Sequence, residues 1–410
     1  MRALVAALVL CLAAPLCAGE ASPAWRAVDA STGQIADVAG LEQLASDFPD
    51  SISVRVRLLN AQLEAGQGEG ALASLRWLAA RGHVFSERAK AQIPALIGPA
   101  HAEAARTYLA RPPFIIAAST VFSTLPAEAG LIESVIVVPG EDGALASSVS
   151  RRTLFALARL SQWIEVPVPR AQALSGLTYA PDGSLGWVAS ANIDGLAPEP
   201  PGFNGLIGLT GDTDDLLMIP APAGVAVSDL TVGPDGTVYA SDPIGGGVYR
   251  AKPGAKALSA LVPPGIFRSP QGQAVSADGA RLYLSDYRYG LAVIDLASGT
   301  VTRLASDVEA ALDGVDGLWL HGGELIAVQN GTSPMRISAF RLSEDGTRIT
   351  ARRVLEQAHP DWTEPLGGSI ADDVLYYVAT GQWDRYDKGV LREGMEALPT
   401  VIRRLPLGPR

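Results

Sequence analysis

Two periodicities divide the chain. Between about residues 40 and 110, apolar positions recur three or four apart, the spacing of one helix face. Val56, Leu59 and Leu63 follow Pro49-Asp50-Ser51, and Gly66 stops the run. Leu72, Leu75, Leu78 and Ala79 share one face of a second segment, Glu69 to Arg81, which Gly82 ends. Past residue 110 this period disappears, and short strand-like runs separated by Asp-Gly turns replace it. At the N-terminus, Arg2 precedes an unbroken apolar run of 12 residues, Ala3 to Ala14, and small residues follow at Ala18, Gly19 and Ala21. That pattern predicts a cleaved export signal over residues 1–21, because the run is too short to cross a bilayer.

The strand-like region repeats. "LTYAPDGSLGWVAS" from Leu177, "LTVGPDGTVYASD" from Leu230 and "QAVSADGARLYLSD" from Gln273 each read strand, turn, strand. Weaker copies begin at Val135, Leu318 and Ser369. Asp-Gly suits such hairpins because both residues tolerate positive φ. The turns fall at 142, 182, 235, 278, 322 and 372, at intervals of 40, 53, 43, 44 and 50 residues. About four strands per repeat at that period predict a β-propeller. The expected fold is mainly β, a six-bladed β-propeller over residues 111–410 preceded by a small α-helical domain over 22–110. Tyr179, Trp187, Tyr239, Tyr283, Trp319, Tyr376 and Tyr377 are expected to pack between blades. Closure of the ring needs a last blade without a free edge. Pro113–Leu125 and Thr400–Leu407, both strand-like, are expected to share the sixth blade.

Composition narrows the function. The chain is 48% hydrophobic with a formal net charge of −11, so disorder and nucleic-acid binding are both disfavoured. Both cysteines, Cys11 and Cys17, lie in the N-terminal apolar stretch, so a disulfide scaffold is excluded and the processed chain has none. The segment before Cys17 is a poor lipid-attachment box, and no other run is long enough for membrane insertion. Four lysines against 28 arginines suggest a GC-rich bacterial genome. The expected location is therefore periplasmic or secreted.

Candidate chemistry comes from the propeller's symmetry. The residues just before each inner strand converge at one mouth of the central channel. In repeat order they are Glu133, Ser175, Ser228, Gln271, Asp316 and Gly367. Two carboxylates, an amide carbonyl and two hydroxyls form a hard-cation ligand set. Without a cation, carboxylates crowded there would repel, and one would have a raised pKa. Tyr287, Arg288 and Tyr289 follow a strand and are placed at the same mouth. The insertion Asn192–Gly205 either covers the mouth or is surface.

The blade motifs, with "ESV" at Glu133, "SPQG" at Ser269–Gly272 and "VDG" at Val315–Gly317, resemble the gluconolactonase/regucalcin (senescence marker protein) family of six-bladed propellers. The resemblance covers about residues 125–410. It implies one divalent cation on the propeller axis, used to hydrolyse lactones. By this resemblance Glu133 and Asp316 occupy the family's Glu and Asp ligand positions. Gln271 stands where the family has Asn, and Ser228-Asp229 stands for an Asn-Asp pair that contacts water or substrate. The cation would be Ca²⁺, Mg²⁺ or Mn²⁺, with Zn²⁺ as a further candidate. Asp229 would act as general base, and Ser175, Ser228, Tyr287 and Arg288 would contact substrate. The helical segments resemble one tetratricopeptide-like hairpin, with Gly66 and Ala71 near that family's small residues. A single hairpin cannot bury its own apolar face. It is expected either to cap the propeller or to present a surface to a protein partner.

Two functional classes follow. One is a metal-dependent lactone or ester hydrolase acting on a small molecule at the channel mouth. The other is a non-catalytic propeller that binds a ligand or protein in the periplasm. A serine hydrolase is disfavoured because no Gly-x-Ser-x-Gly elbow occurs. The glycine-rich stretches lack phosphate-loop spacing. The four histidines share no metal-like spacing, and His321, in a hairpin turn, reads as solvated.

Overall fold

The structure, a computed structural model, describes residues 23–138, 143–157, 162–183, 185–195, 201–210 and 216–408. The export signal expected over 1–21 and the first hairpin turn at 142 lie outside the described residues.

Among the described residues, five α-helices precede a six-bladed propeller. They are α1 (Val38–Asp47), α2 (Ile52–Glu64), α3 (Gly68–Ala80), α4 (Glu87–Leu96) and α5 (Ala102–Leu109). Side chains of Asp37, Ser51 and Ser86 accept backbone N–H groups in the first turns of α1, α2 and α4, satisfying donors that a helix start leaves open. Gly66 and Gly82 end α2 and α3 at φ values of +68° and +74°, where a side chain would be strained. Helices α2 and α3 pack together as the apolar spacing predicts, burying Leu59, Leu75 and Leu78.

Each blade is an antiparallel sheet of four strands, and the fifth gains a short parallel edge strand, Ala305–Ser306. The inner strands are Ile132–Val137, Ala173–Tyr179, Leu230–Val232, Pro270–Val275, Gly317–His321 and Gly368–Ala371. Each touches the next, and the sixth touches the first, so the ring closes. In the sixth blade Thr400–Pro406 pairs with Val374–Val378 on one side and Thr120–Leu125 on the other. Both ends of the propeller segment therefore complete one blade, as expected.

The core lies between the blades. Trp187, Val238 and Tyr249 join blades two and three, and Tyr283, Leu325 and Phe340 join four and five. Complete burial of one such side chain contributes about 1.5–3 kcal/mol, so these seams dominate the propeller's stability.

The helices do not stand apart from the propeller. Phe48 packs within 5.0 Å of the Trp25 ring and 4.9 Å of the Tyr289 ring. Trp25 in turn donates its indole N–H to the Ile266 carbonyl at 3.1 Å. The α2 cap, Ser51, donates to the Arg288 carbonyl at 2.7 Å, which ties the helical unit to a residue of the channel mouth. His321 departs from the solvated reading: it is half-buried, with Nε2 3.0 Å from the Asp373 carboxylate.

Candidate functional site

Irregular strand starts build the mouth. The register of the inner strand shifts between Ile132 and Ser134 in blade one, between Leu174 and Leu177 in blade two, and between Pro270 and Gln273 in blade four. A bulge breaks the in-out alternation and re-aims a side chain. Glu133 and Gln271 sit on such bulges. Asp229 and Asp316 directly precede their inner strands.

Just beneath, Ser134, Gly176, Asp229, Gly272, Gly317 and Gly367 surround the axis at a constriction of about 40 Å³. Glycine is needed because neighbouring blades touch there through backbone. A Cβ on Gly176 would lie 2.7 Å from the Ser228 carbonyl oxygen. The N–H groups of Gly176, Gly272 and Gly367 donate to the carbonyls of Ser228, Asp316 and Glu133 at 3.0, 2.8 and 3.2 Å. This stitching fixes the backbones that carry the two mouth carboxylates.

Above the constriction the channel opens into a cavity of about 370 Å³. Of the aligned positions, Glu133, Ser228, Gln271 and Asp316 line it; so do Tyr287 and Arg288, whereas Tyr289 turns away and packs on Phe48. Asp229 lies one level lower, on the constriction. Ser175 requires a correction. Its side chain is fully buried and its hydroxyl donates to the Ser228 carbonyl at 2.9 Å, so it braces the wall and faces no ligand. Gly367 is corrected too: it belongs to the constriction, and blade six reaches the mouth through Glu364 and Leu366. The described start of the 192–205 insertion does reach the mouth, through Ile193.

Three contributors escaped the repeat reading. Trp383 donates its indole N–H to Glu133 Oε2 at 2.6 Å and fixes that carboxyl group. Glu364 adds a third acid to the mouth. Gln273 lines the constriction and gives its amide N–H to the Asp229 carbonyl at 3.0 Å, while its Oε1 is buried without a partner among the described residues. On the polar side, Tyr287 donates to Asn330 Oδ1 at 2.8 Å and the Gln271 amide donates to Ser269 Oγ at 3.1 Å.

The electrostatics are those of crowded acids. Burial pushes Glu133, Asp229, Asp316 and Glu364 above the usual carboxyl range. The charge of Asp229 raises Glu133 further, and Glu133, Asp229 and Glu364 all raise Asp316. Burial and neighbouring carboxylates, rather than a cation, dominate the shifts of Glu133 and Asp316, while Arg288 lines the same cavity. The unpartnered Gln273 amide oxygen and the crowded carboxyls form a donor set that fits a hard cation. Among the described residues, however, no three His, Cys, Asp or Glu side chains gather so as to hold one ion. Such an ion would need amide oxygens as well as acids.

No family profile matches the chain, and no curated protein does. Among solved structures the chain is similar to the PQQ-bound aldose sugar dehydrogenase of Streptomyces coelicolor, at 15% identity and a TM-score of 0.48. That likeness covers 72% of this chain and 99% of the other. It is similar to a Xanthomonas campestris gluconolactonase at 13% identity and a TM-score of 0.47, covering 72% and 95%. It is also similar to a calcium-binding protein, regucalcin, of Agrobacterium tumefaciens at 16% and 0.47, covering 71% and 94%. These likenesses concern the fold and assign no activity.

Proposed function

We propose that the protein is an exported hydrolase of small lactones or esters that works with a divalent cation at the channel mouth. One observation carries this reading: Glu133 and Asp316, half-buried acids whose crowding raises their pKa values, line an open cavity of about 370 Å³. Glu133, Asp316 and the side-chain carbonyl of Gln271 would hold the cation. A bound cation supplies Lewis acidity toward an ester carbonyl. The Trp383 indole keeps the Glu133 carboxyl oriented. Asp229, beneath the mouth, takes the proton from an attacking water. Ser228, Tyr287 and Arg288 line the space a substrate would fill, and Ile193, Ile244 and Leu366 give it an apolar side. Export rests on the N-terminal pattern of residues 1–21.

The test is calorimetric titration of the metal-free protein with Ca²⁺, Mg²⁺ and Mn²⁺, followed by hydrolysis assays on a panel of lactones. Saturable binding with metal-dependent hydrolysis supports the proposal; neither binding nor turnover defeats it. A second reading, a mouth that binds without turnover, is favoured by the lack of three gathered acidic or imidazole ligands among the described residues. Absence of both cation binding and hydrolysis across the lactone panel would select it. A protein partner at the helical surface would then be sought by pull-down.

A further inference from the structure

The seam between blades two and three is not filled as its counterparts are. In each blade a third-strand residue sits opposite the first apolar residue of the second strand. Leu282 pairs with Ile294 in blade four and Leu325 with Phe340 in blade five, and all four are buried in seams. In blade three the same register pairs Val238 with Ala251. The smaller side chain leaves room, and a cavity of about 410 Å³ lies there. That volume falls within the roughly 300–1,000 Å³ of small-molecule sites.

The walls are apolar. Trp187, Ile219, Val232 and Val238 line the cavity, and so does Leu217, which is 45% exposed. A ligand seated there would take that apolar surface out of water. The charged groups are mostly of one sign. Lys252 and Lys256, two of the chain's four lysines, line the same cavity and are exposed. Lys90 is paired with Glu87, whereas neither Lys252 nor Lys256 has an ion-pair partner among the described residues. Lys252 does help to lower Asp235, which Thr237 already holds. Among the described lining residues the acid is Asp182 alone. In a chain of net charge −11, this cavity is a local excess of positive charge over an apolar wall.

The cavity is separate from the channel mouth. Val232 ends the inner strand of blade three, whereas Ser228, at the mouth, precedes its start. The cavity therefore opens on the face of the Asp-Gly turns and shares no lining residue with the mouth.

We infer that the seam between blades two and three binds a medium-chain alkanoate. Its alkyl chain lies against Trp187 and Val238, and its carboxylate turns toward Lys252 and Lys256. The two lysines select a carboxylate over a neutral or cationic amphiphile.

Calorimetric titration of the full-length protein with octanoate tests the inference, with 1-octanol as the neutral comparison. Octanoate should bind saturably at one site, about tenfold more tightly than octanol, and should weaken as salt rises. Lys252→Gln combined with Lys256→Gln, both at exposed positions, should erase that preference and leave octanol binding unchanged. Ala251→Phe, which fills the cavity with the side chain that blade five carries, should abolish binding of both. The lysine pair decides the matter should Ala251→Phe fail to fold. No saturable octanoate binding, or binding that either substitution leaves unchanged, overturns the site.

Discussion

Asp313 accepts the backbone N–H of Ser53 at 2.7 Å, so a carboxylate of the propeller caps the first turn of α2. The same carboxylate takes the N–H of Ile52, and the neighbouring Gly314 donates to the Tyr287 carbonyl at 2.7 Å. The helix start is therefore joined to the loops that form the mouth. Asp313→Ala would leave two backbone donors without their acceptor, that of Ile52 buried and that of Ser53 half-buried, and should cost about 1–3 kcal/mol. Limited proteolysis should then cut within residues 30–110 well before the propeller. A variant as resistant as the wild type would contradict this coupling.

The acid cluster gives a prediction of opposite sign. Glu133 lies where burial and the Asp229 charge oppose its ionisation. Glu133→Gln keeps the shape and removes one of the repelling charges. Without added metal, the variant's Tm should equal or exceed that of the wild type, while cation affinity and lactone hydrolysis fall at least tenfold. A large loss of stability would instead mark Glu133 as a structural residue.

The constriction is predicted to tolerate no side chain at Gly272. A Cβ there would meet the carbonyl of Asp316 and the backbone of Leu318 and Gly317, none of which is free to move aside. Gly272→Ala should destabilise by about 1–3 kcal/mol, the range for overpacking, and should displace the Asp316 backbone. Denaturant midpoints measure the first effect. Gly183→Ala is a control for spacing, since nothing lies within 4 Å of its Cβ direction; its φ of +70° still makes it a strained position.

The blades were legible because Asp-Gly turns recur at a nearly constant interval, and a propeller is the closed arrangement of such repeats. The same logic placed Glu133 and Asp316, since symmetry brings equivalent positions to one mouth. It failed where the chain leaves the repeat. Glu364 comes three residues before Gly367, so aligning on Gly367 passed over it. Trp383 lies in the excursion between Val378 and Thr400, 250 residues from its partner Glu133, and no local pattern links the two. Ser175 shows the reverse failure. A hydroxyl at a mouth position in sequence turned into the wall, because its own bulge aims it at the Ser228 carbonyl.

Ring closure makes the C-terminus structural. Thr400–Pro406 hydrogen-bonds both neighbours in blade six, and Ile402, Leu405 and Leu407 are buried. Removing residues 400–410 would expose two strand edges and open seams on both sides of the blade. The truncated protein should lose cooperative unfolding and aggregate. A cooperatively unfolding truncation would show that closure is dispensable.

Two buried groups at the helical joint should give opposing pH effects on stability. Burial raises Asp50 to about 6, against its pairing with Arg303 and Arg81. The folded state thus holds that proton more tightly than the unfolded chain, so this contribution is full below about pH 4 and lost as pH rises through about 6. Burial lowers His83 to about 4, aided by Arg336. The unfolded chain binds that proton more tightly, so its contribution is present above about 6.5 and lost as pH falls through about 4. Each amounts to about 3 kcal/mol at most, at 1.36 kcal/mol per unit. In the wild type they largely cancel between pH 4 and 6.5. Asp50→Asn should leave a protein that loses stability on acidification relative to the wild type, and His83→Gln one that gains it. Urea midpoints of the three proteins at pH 4.5 and 7.5 measure the differences. Parallel shifts in both variants would refute the assigned directions.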